Sequence, residues 1–229
     1  MIRFTPIILA IIYALLMYRF SVWRTQKELD ARSVRLVDPA LRAVLDRLAR
    51  AQGVDDIPVY IYEVDPVNGL AAPDGRIFIT RGFFQRFRQG AVSADELASV
   101  FAHELGHVAL GHARKRMIDF SGQNALRVIL MTTLGRFVPF FGVMLANFIT
   151  GLLAARLSRG DEYAADEYAS AILVKAGIGT APQKSLFAKL DRLTQANMGA
   201  APAWLLSHPK TAERIAAIER NEAKWGLLR

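Results

Sequence analysis

The stretch Val100–His112, VFAHELGHVALGH, places two histidines four residues apart, with a glutamate directly after the first. On an α-helix, residues i and i+4 share a face. His103 and His107 can therefore direct two imidazoles at one ion while Glu104 projects beside it. This is the H-E-x-x-H arrangement. Zinc suits it, because a catalytic zinc takes two neutral imidazoles, a third protein ligand and a water in the open position. The metal acidifies that water, and the glutamate takes its proton as general base. The alternative is a buried helix whose histidines are merely hydrogen-bonded.

The neighbouring sequence supports a helix. Ser93 and Glu96 form the S-x-x-E capping-box pattern that opens one. The third ligand has to come from elsewhere. One zincin pattern takes a histidine ten residues after the first and a glycine at the seventh, but those places hold Ala113 and Leu110. His112 lies five residues past His107 and faces another direction, so it is read as a non-ligand. An acid on a later helix is expected instead. In SRGDEYAAD, Glu162 and Asp166 are four apart, and their stripe continues through apolar Ala169 and Leu173. Two carboxylates on an apolar face are costly to bury unless paired or metal-bound. Glu162 as ligand, with Asp166 orienting a ligand imidazole, accounts for both. An exposed acidic helix start is the alternative, and Asp161 and Glu167 fit it.

Working outward, Asp38, Pro39 and Gly53 mark a helix with an N-cap, a first-turn proline and a closing glycine. IPVYIYEV reads as a strand. VNGLAAPDGRIFIT reads as a short extended piece, a turn at Pro73-Asp74-Gly75 and a second strand. The helix that carries Glu162 stops near Gly177, and amphipathic helices follow.

Two apolar tracts raise the hydrophobic content to 52% and the mean hydropathy to +0.21. Phe4–Trp23 gives about 20 residues, roughly one bilayer crossing. No small-residue cleavage site follows it, so residues 1–24 are expected to be an uncleaved anchor. Arg19 near its end and Arg24, Lys27, Arg32 and Arg35 after it outnumber Arg3 before it, so the body of the protein is expected in the cytoplasm. The second tract, residues 125–156, follows the histidine helix and precedes Glu162. A single crossing there would separate Glu162 from His103, and two crossings need about 40 residues. A helical hairpin that touches or dips into the membrane, or packs over the site as a lid, is expected; a buried core hairpin is the alternative.

The net charge of +8 comes without an aromatic–basic stripe or a nucleic-acid-binding motif, so no nucleic-acid partner is expected. The chain has no cysteine, which excludes disulfides and thiolate metal sites.

HELGH, SRGDEYAAD and LLSHPKTAERI, in this order, resemble the M48 metallopeptidases, the Ste24/HtpX/Oma1-like group. The resemblance runs roughly from Val34 to Ala223. It implies an α+β, predominantly helical fold of zincin (gluzincin) type, with a small β-sheet, over residues 25–229. It implies one zinc ion per chain, held by His103, His107 and Glu162, with Glu104 as catalytic base and Asp166 as the orienting acid. His208 matches a histidine that stabilises the oxyanion, and Arg214 an arginine that holds the site together. Asn68 falls where the family has an N-A-F/Y-A stretch on an edge strand beside the cleft, although this chain has NGLA. The resemblance implies a membrane-anchored endopeptidase acting on polypeptides in membrane or envelope protein quality control, in a bacterial inner membrane. An extracytoplasmic envelope-assembly protease, or a chaperone on the same fold, is the alternative.

Overall fold

The computed structural model describes residues 5–72, 74–112, 114, 115, 118, 159–196 and 211–227, without the side chains of 5–10, 14 and 191–196. The chain forms two compact units. One comprises residues 1–31 and 111–160, the other residues 32–110 and 161–229.

In the first unit, Thr5–Ala31 forms helix α1. Its described part exposes Ile11, Ile12, Leu15, Leu16, Phe20 and Trp23. Among the described residues, no helix is long and apolar enough to cross a membrane. The apolar start of the expected anchor, residues 1–4 and the side chains of 5–10, lies outside them. So does the whole of the expected hairpin, residues 125–156.

The second unit is mostly helical with a small mixed sheet. Its elements are β1 (Ser33–Arg35), α2 (Pro39–Gln52), β2 (Val59–Tyr62), β3 (Gly69–Ala71), β4 (Ile77–Thr80), α3 (Arg81–Arg88) and α4 (Ala94–Ala109). Helix α5 follows over residues 159–175, most of it in this unit. Then come α6 (Ala181–Ala196) and α7 (Thr211–Lys224).

Local chemistry sets these boundaries. Asp38 Oδ1 accepts from the backbone N–H groups of Ala40 and Leu41, satisfying two donors at the start of α2. Gly53 ends α2 with φ of 80°, a left-handed conformation that costs glycine little. The Ser93–Glu96 box is closed in both directions, so α4 begins where the sequence says it does. Thr80 ends β4 and also caps α3, accepting from Phe83 N. Gly82 can sit here because a Cβ on it would lie 1.7 Å from the Asp65 carbonyl oxygen. Neither β1 nor α3 is announced by the sequence patterns described above.

The sheet order is β1-β2-β4-β3, with β2 and β4 parallel at the centre and antiparallel strands at both edges. Leu41 and Leu48 of α2, Ile77 and Ile79 of β4, Phe101 of α4 and Leu173 of α5 build one buried core. The apolar burial clamps α4 between the sheet and the later helices. Twelve consecutive residues of α4, Glu96–His107, are buried, which is why polar side chains there need partners.

Candidate active site

Helices α4 and α5 meet at Gly106. A Cβ at that position would lie 2.9 Å from the Ala165 carbonyl oxygen and 3.1 Å from its Cα. Glycine alone permits this approach without displacing backbone. The pairs His103–Asp166 and His107–Glu162 are matched across the contact, so the two helices run antiparallel.

Among the described residues, one group of side chains is arranged to hold a metal ion: His103, His107 and Glu162. The two Nε2 atoms are 3.0 Å apart. Glu162 Oε2 is 3.4 Å from His103 Nε2, and Oε1 is 3.5 Å from His107 Nε2. Donors at 2.0–2.1 Å from a tetrahedral zinc are separated by about 3.3 Å. Each histidine nitrogen therefore lies near that separation from one oxygen of the Glu162 carboxylate, and the three groups together can hold one ion. The imidazole rings stand edge to face, at 89°. His103 Nδ1 donates to Asp166, so its Nε2 presents a lone pair toward His107 Nε2; the two nitrogens can share a proton or face one metal ion. Burial alone would lower the His103 pKa, but its contacts with Asp166 and Glu162 outweigh that and raise it to about 9.

The remaining polar groups support this triangle. Asp166 Oδ1 accepts from His103 Nδ1 at 2.9 Å. Arg214, on α7, reaches the same carboxylate with two nitrogens, Nε to Oδ2 at 2.6 Å and Nη2 to Oδ1 at 2.8 Å. This bidentate pair is buried at both ends. Burial would raise the Asp166 pKa, yet the Arg214 charge beside it holds it below the usual carboxylate value. The guanidinium also lies over the Phe187 ring, 4.3 Å from its centroid. Its Nη1 comes within 3.8 Å of Glu162 Oε2. Glu104 is buried between the two histidines on α4 and contributes to holding Arg214 charged.

Of the residues singled out from sequence, the structure brings His103, Glu104, His107, Glu162, Asp166 and Arg214 together. Asn68 belongs to another element. It immediately precedes the edge strand β3, which lies against α4. Its backbone is bound to Thr80, and its Oδ1 accepts from Gly69 N at 3.0 Å. His208 lies outside the described residues. Glu167 is exposed, as expected of a solvated helix acid, but Asp161 is buried, against that expectation. The sequence patterns also missed Gly106, Ser170, Gln183 and Phe187, all of which border the cluster. Gly106 carried a signal, since a glycine inside a helical pattern needs a packing reason.

Comparison with known proteins agrees with this geometry. The model of Peptidase family M48 matches residues 35–222. The chain is 31% identical over 167 residues to the metalloprotease LoiP of Escherichia coli, covering 73% of this chain and 63% of LoiP. It is 29% identical over 178 residues to the E. coli metalloprotease YcaL, covering 76% and 67% of the two chains. A protease HtpX homolog of Salinibacter ruber is 29% identical over 213 residues, covering 79% and 74%. The chain thus spans less than two thirds of LoiP. The buried donor triangle and the match over most of the sequence lead to one assignment: the chain belongs to peptidase family M48, a family of metal-dependent proteases.

Proposed function

We propose that this chain is a zinc metalloendopeptidase, with one zinc ion held by His103 Nε2, His107 Nε2 and the Glu162 carboxylate. The observation that carries the reading is the buried donor cluster, with the two Nε2 atoms 3.0 Å apart and a different Glu162 oxygen within 3.4 Å of His103 Nε2 and 3.5 Å of His107 Nε2. When bound, the ion supplies Lewis-acid polarisation of the scissile carbonyl and of water. Glu104 takes a proton from the attacking water and passes it to the leaving amine. Asp166 holds the proton on His103 Nδ1, which fixes the tautomer that directs the Nε2 lone pair at the ion. Arg214 keeps Asp166 ionised in a dry environment. A substrate in extended conformation adds to the edge strand β3, beside Asn68, through main-chain hydrogen bonds. Such binding tolerates many side chains and suits a broad range of polypeptides. His208 is assigned to the oxyanion by resemblance.

The first 24 residues anchor the enzyme in a membrane, a bacterial inner membrane by resemblance. The apolar side chains that α1 exposes from Ile11 to Trp23 support this, since water is a poor solvent for such a run. The charges that follow favour a cytoplasmic catalytic unit. Its substrates are membrane-associated or misfolded proteins.

Metal analysis of the full chain tests the site. One zinc per chain is expected, lost in His103→Ala and Glu162→Ala. Glu104→Gln should keep the zinc and lose casein cleavage by about 10²- to 10⁴-fold. Full zinc in both ligand variants, or unchanged cleavage by Glu104→Gln, refutes the assignment.

A further inference from the structure

The Asp166 carboxylate has a third donor. Gln183, in the first turn of α6, directs its Nε2 at Asp166 Oδ1, 3.4 Å away. Its Oε1 accepts from Ser170 Oγ at 2.9 Å. Ser170 lies one turn beyond Asp166 on α5, and both Ser170 and Gln183 are fully buried. The chemistry fixes the direction of this chain of contacts. An ionised carboxylate only accepts, so the amide must turn its NH₂ toward Asp166. The amide oxygen then faces Ser170, whose hydroxyl must donate. A flipped amide would set oxygen against oxygen at a buried carboxylate.

Oδ1 is thus shared by His103 Nδ1, Arg214 Nη2 and Gln183 Nε2. Arg214 Nη2 and His103 Nδ1 lie 3.4 Å apart because they share that acceptor. The Arg214 fork grips both carboxylate oxygens and draws Asp166 toward α7. His103, on α4, needs the same Oδ1 within hydrogen-bond reach. A donor from α6 opposes rotation of the carboxylate away from the histidine. It does so without charge, which matters because a second cation here would repel the metal.

We infer that Gln183, oriented by Ser170, is a positioning residue for the metal site: it fixes the Asp166 carboxylate so that His103 presents Nε2 to the ion. The inference rests on the metal-site reading above. It predicts that a side chain with no atom in the metal triangle controls metal affinity.

Gln183→Met keeps the volume and removes the donor. In that variant the Ser170 hydroxyl can turn to a backbone carbonyl of its own helix, as serine does within helices. Zinc affinity of the full-length protein in detergent is measured by competition with a chromophoric chelator, and cobalt(II) absorption reports the ligand geometry. Helical content and melting temperature in the presence of EDTA report the metal-free fold. Gln183→Met should bind zinc about tenfold more weakly, the lower end of the effect of groups that orient metal ligands. Its cobalt spectrum should shift while the metal-free helical content is kept. Ser170→Ala should weaken zinc binding in the same direction by less, and add nothing in the Gln183→Met background, because it acts through the amide. Asp166→Asn supplies the reference loss. Wild-type zinc affinity in Gln183→Met alongside a weakened Asp166→Asn overturns the inference, as do additive effects of Ser170→Ala and Gln183→Met. If Gln183→Met does not fold, unchanged zinc affinity in Ser170→Ala overturns it. A wild-type protein that binds no zinc refutes the metal-site reading instead.

Discussion

Gly106→Ala separates the stability of the fold from the geometry of its site. Alanine is the better helix former by about 1 kcal/mol, so α4 itself gains. The new methyl, however, would stand 2.9 Å from the Ala165 carbonyl oxygen and 3.3 Å from Tyr168 Cβ. Carbon–oxygen contacts settle at about 3.3–3.6 Å. The α4–α5 contact must therefore open by about half an ångström, and overpacking of this kind costs about 1–3 kcal/mol. The net loss of stability should be about 0–2 kcal/mol, leaving a folded protein. The metal triangle fares worse. Its His103–His107 side lies within α4 and is unaffected. Its sides to Glu162, at 3.4 and 3.5 Å, cross the interface that opens. Functional constellations tolerate about 0.5 Å of displacement, so zinc affinity should fall at least about tenfold. Urea unfolding of the metal-free protein and chelator competition would measure the two effects separately. Wild-type zinc affinity in a folded Gly106→Ala protein would refute the claim that this helix contact sets the donor spacing.

Arg214→Met should cost about 3–5 kcal/mol, because it leaves the Asp166 carboxylate buried without its counter-charge; a loss below 1 kcal/mol by denaturant unfolding would contradict that. Glu96 accepts from Ser93 N, Ser185 Oγ and Lys189 Nζ. Burial opposes its ionised form, but these partners prevail and lower its pKa below 4.5. A lowered folded-state pKa gives stability that is complete above the unfolded value and lost as pH falls through the folded one. Glu96→Gln should therefore cost about 1–2 kcal/mol near neutrality, and the difference from wild type should shrink below about pH 4.5; a pH-independent difference would rule out the ionic explanation. Deleting residues 1–24 should leave a protein that still binds liposomes through residues 125–156, and Phe140→Asp with Phe148→Asp should release it. A truncated protein that ignores liposomes would mean that this tract is not a lipid contact.

Sequence was most informative where local chemistry acts. Asp38, Gly53 and the Ser93–Glu96 pair each satisfy backbone groups within a few residues, so they mark helix ends without knowledge of the fold. The spacing of His103 with His107, and of Glu162 with Asp166, puts each pair on one helix face for the same reason, because one helical turn is a local ruler. Asp161 misled, since its burial depends on what packs around the start of α5. Helix α3 is only eight residues long and shares its capping threonine with β4, which leaves too little periodicity to read. The parallel pairing of β2 with β4 joins strands separated by β3, and no local signal encodes that. Gln183 and Phe187 matter only because α6 and α7 bring them to Asp166 and Arg214, a placement set by tertiary packing.

The unit that carries the donors is built from two stretches of chain, residues 32–110 and 161–229, with the other unit's residues 111–160 between them. In polymer terms, His103 and Glu162 are the two ends of a long stretch of chain, and an ion gripping both would be a removable cross-link. Closing a loop of this length restricts the unfolded chain by about 4 kcal/mol, as a covalent bridge would. The closing entropy grows only logarithmically, by about 0.6 kcal/mol for each doubling of the loop. Sequence can thus be added or removed between Leu110 and Asp161 at small entropic cost to the donor triangle, and the intervening segment is free to diverge in length while α4 and α5 stay locked at Gly106.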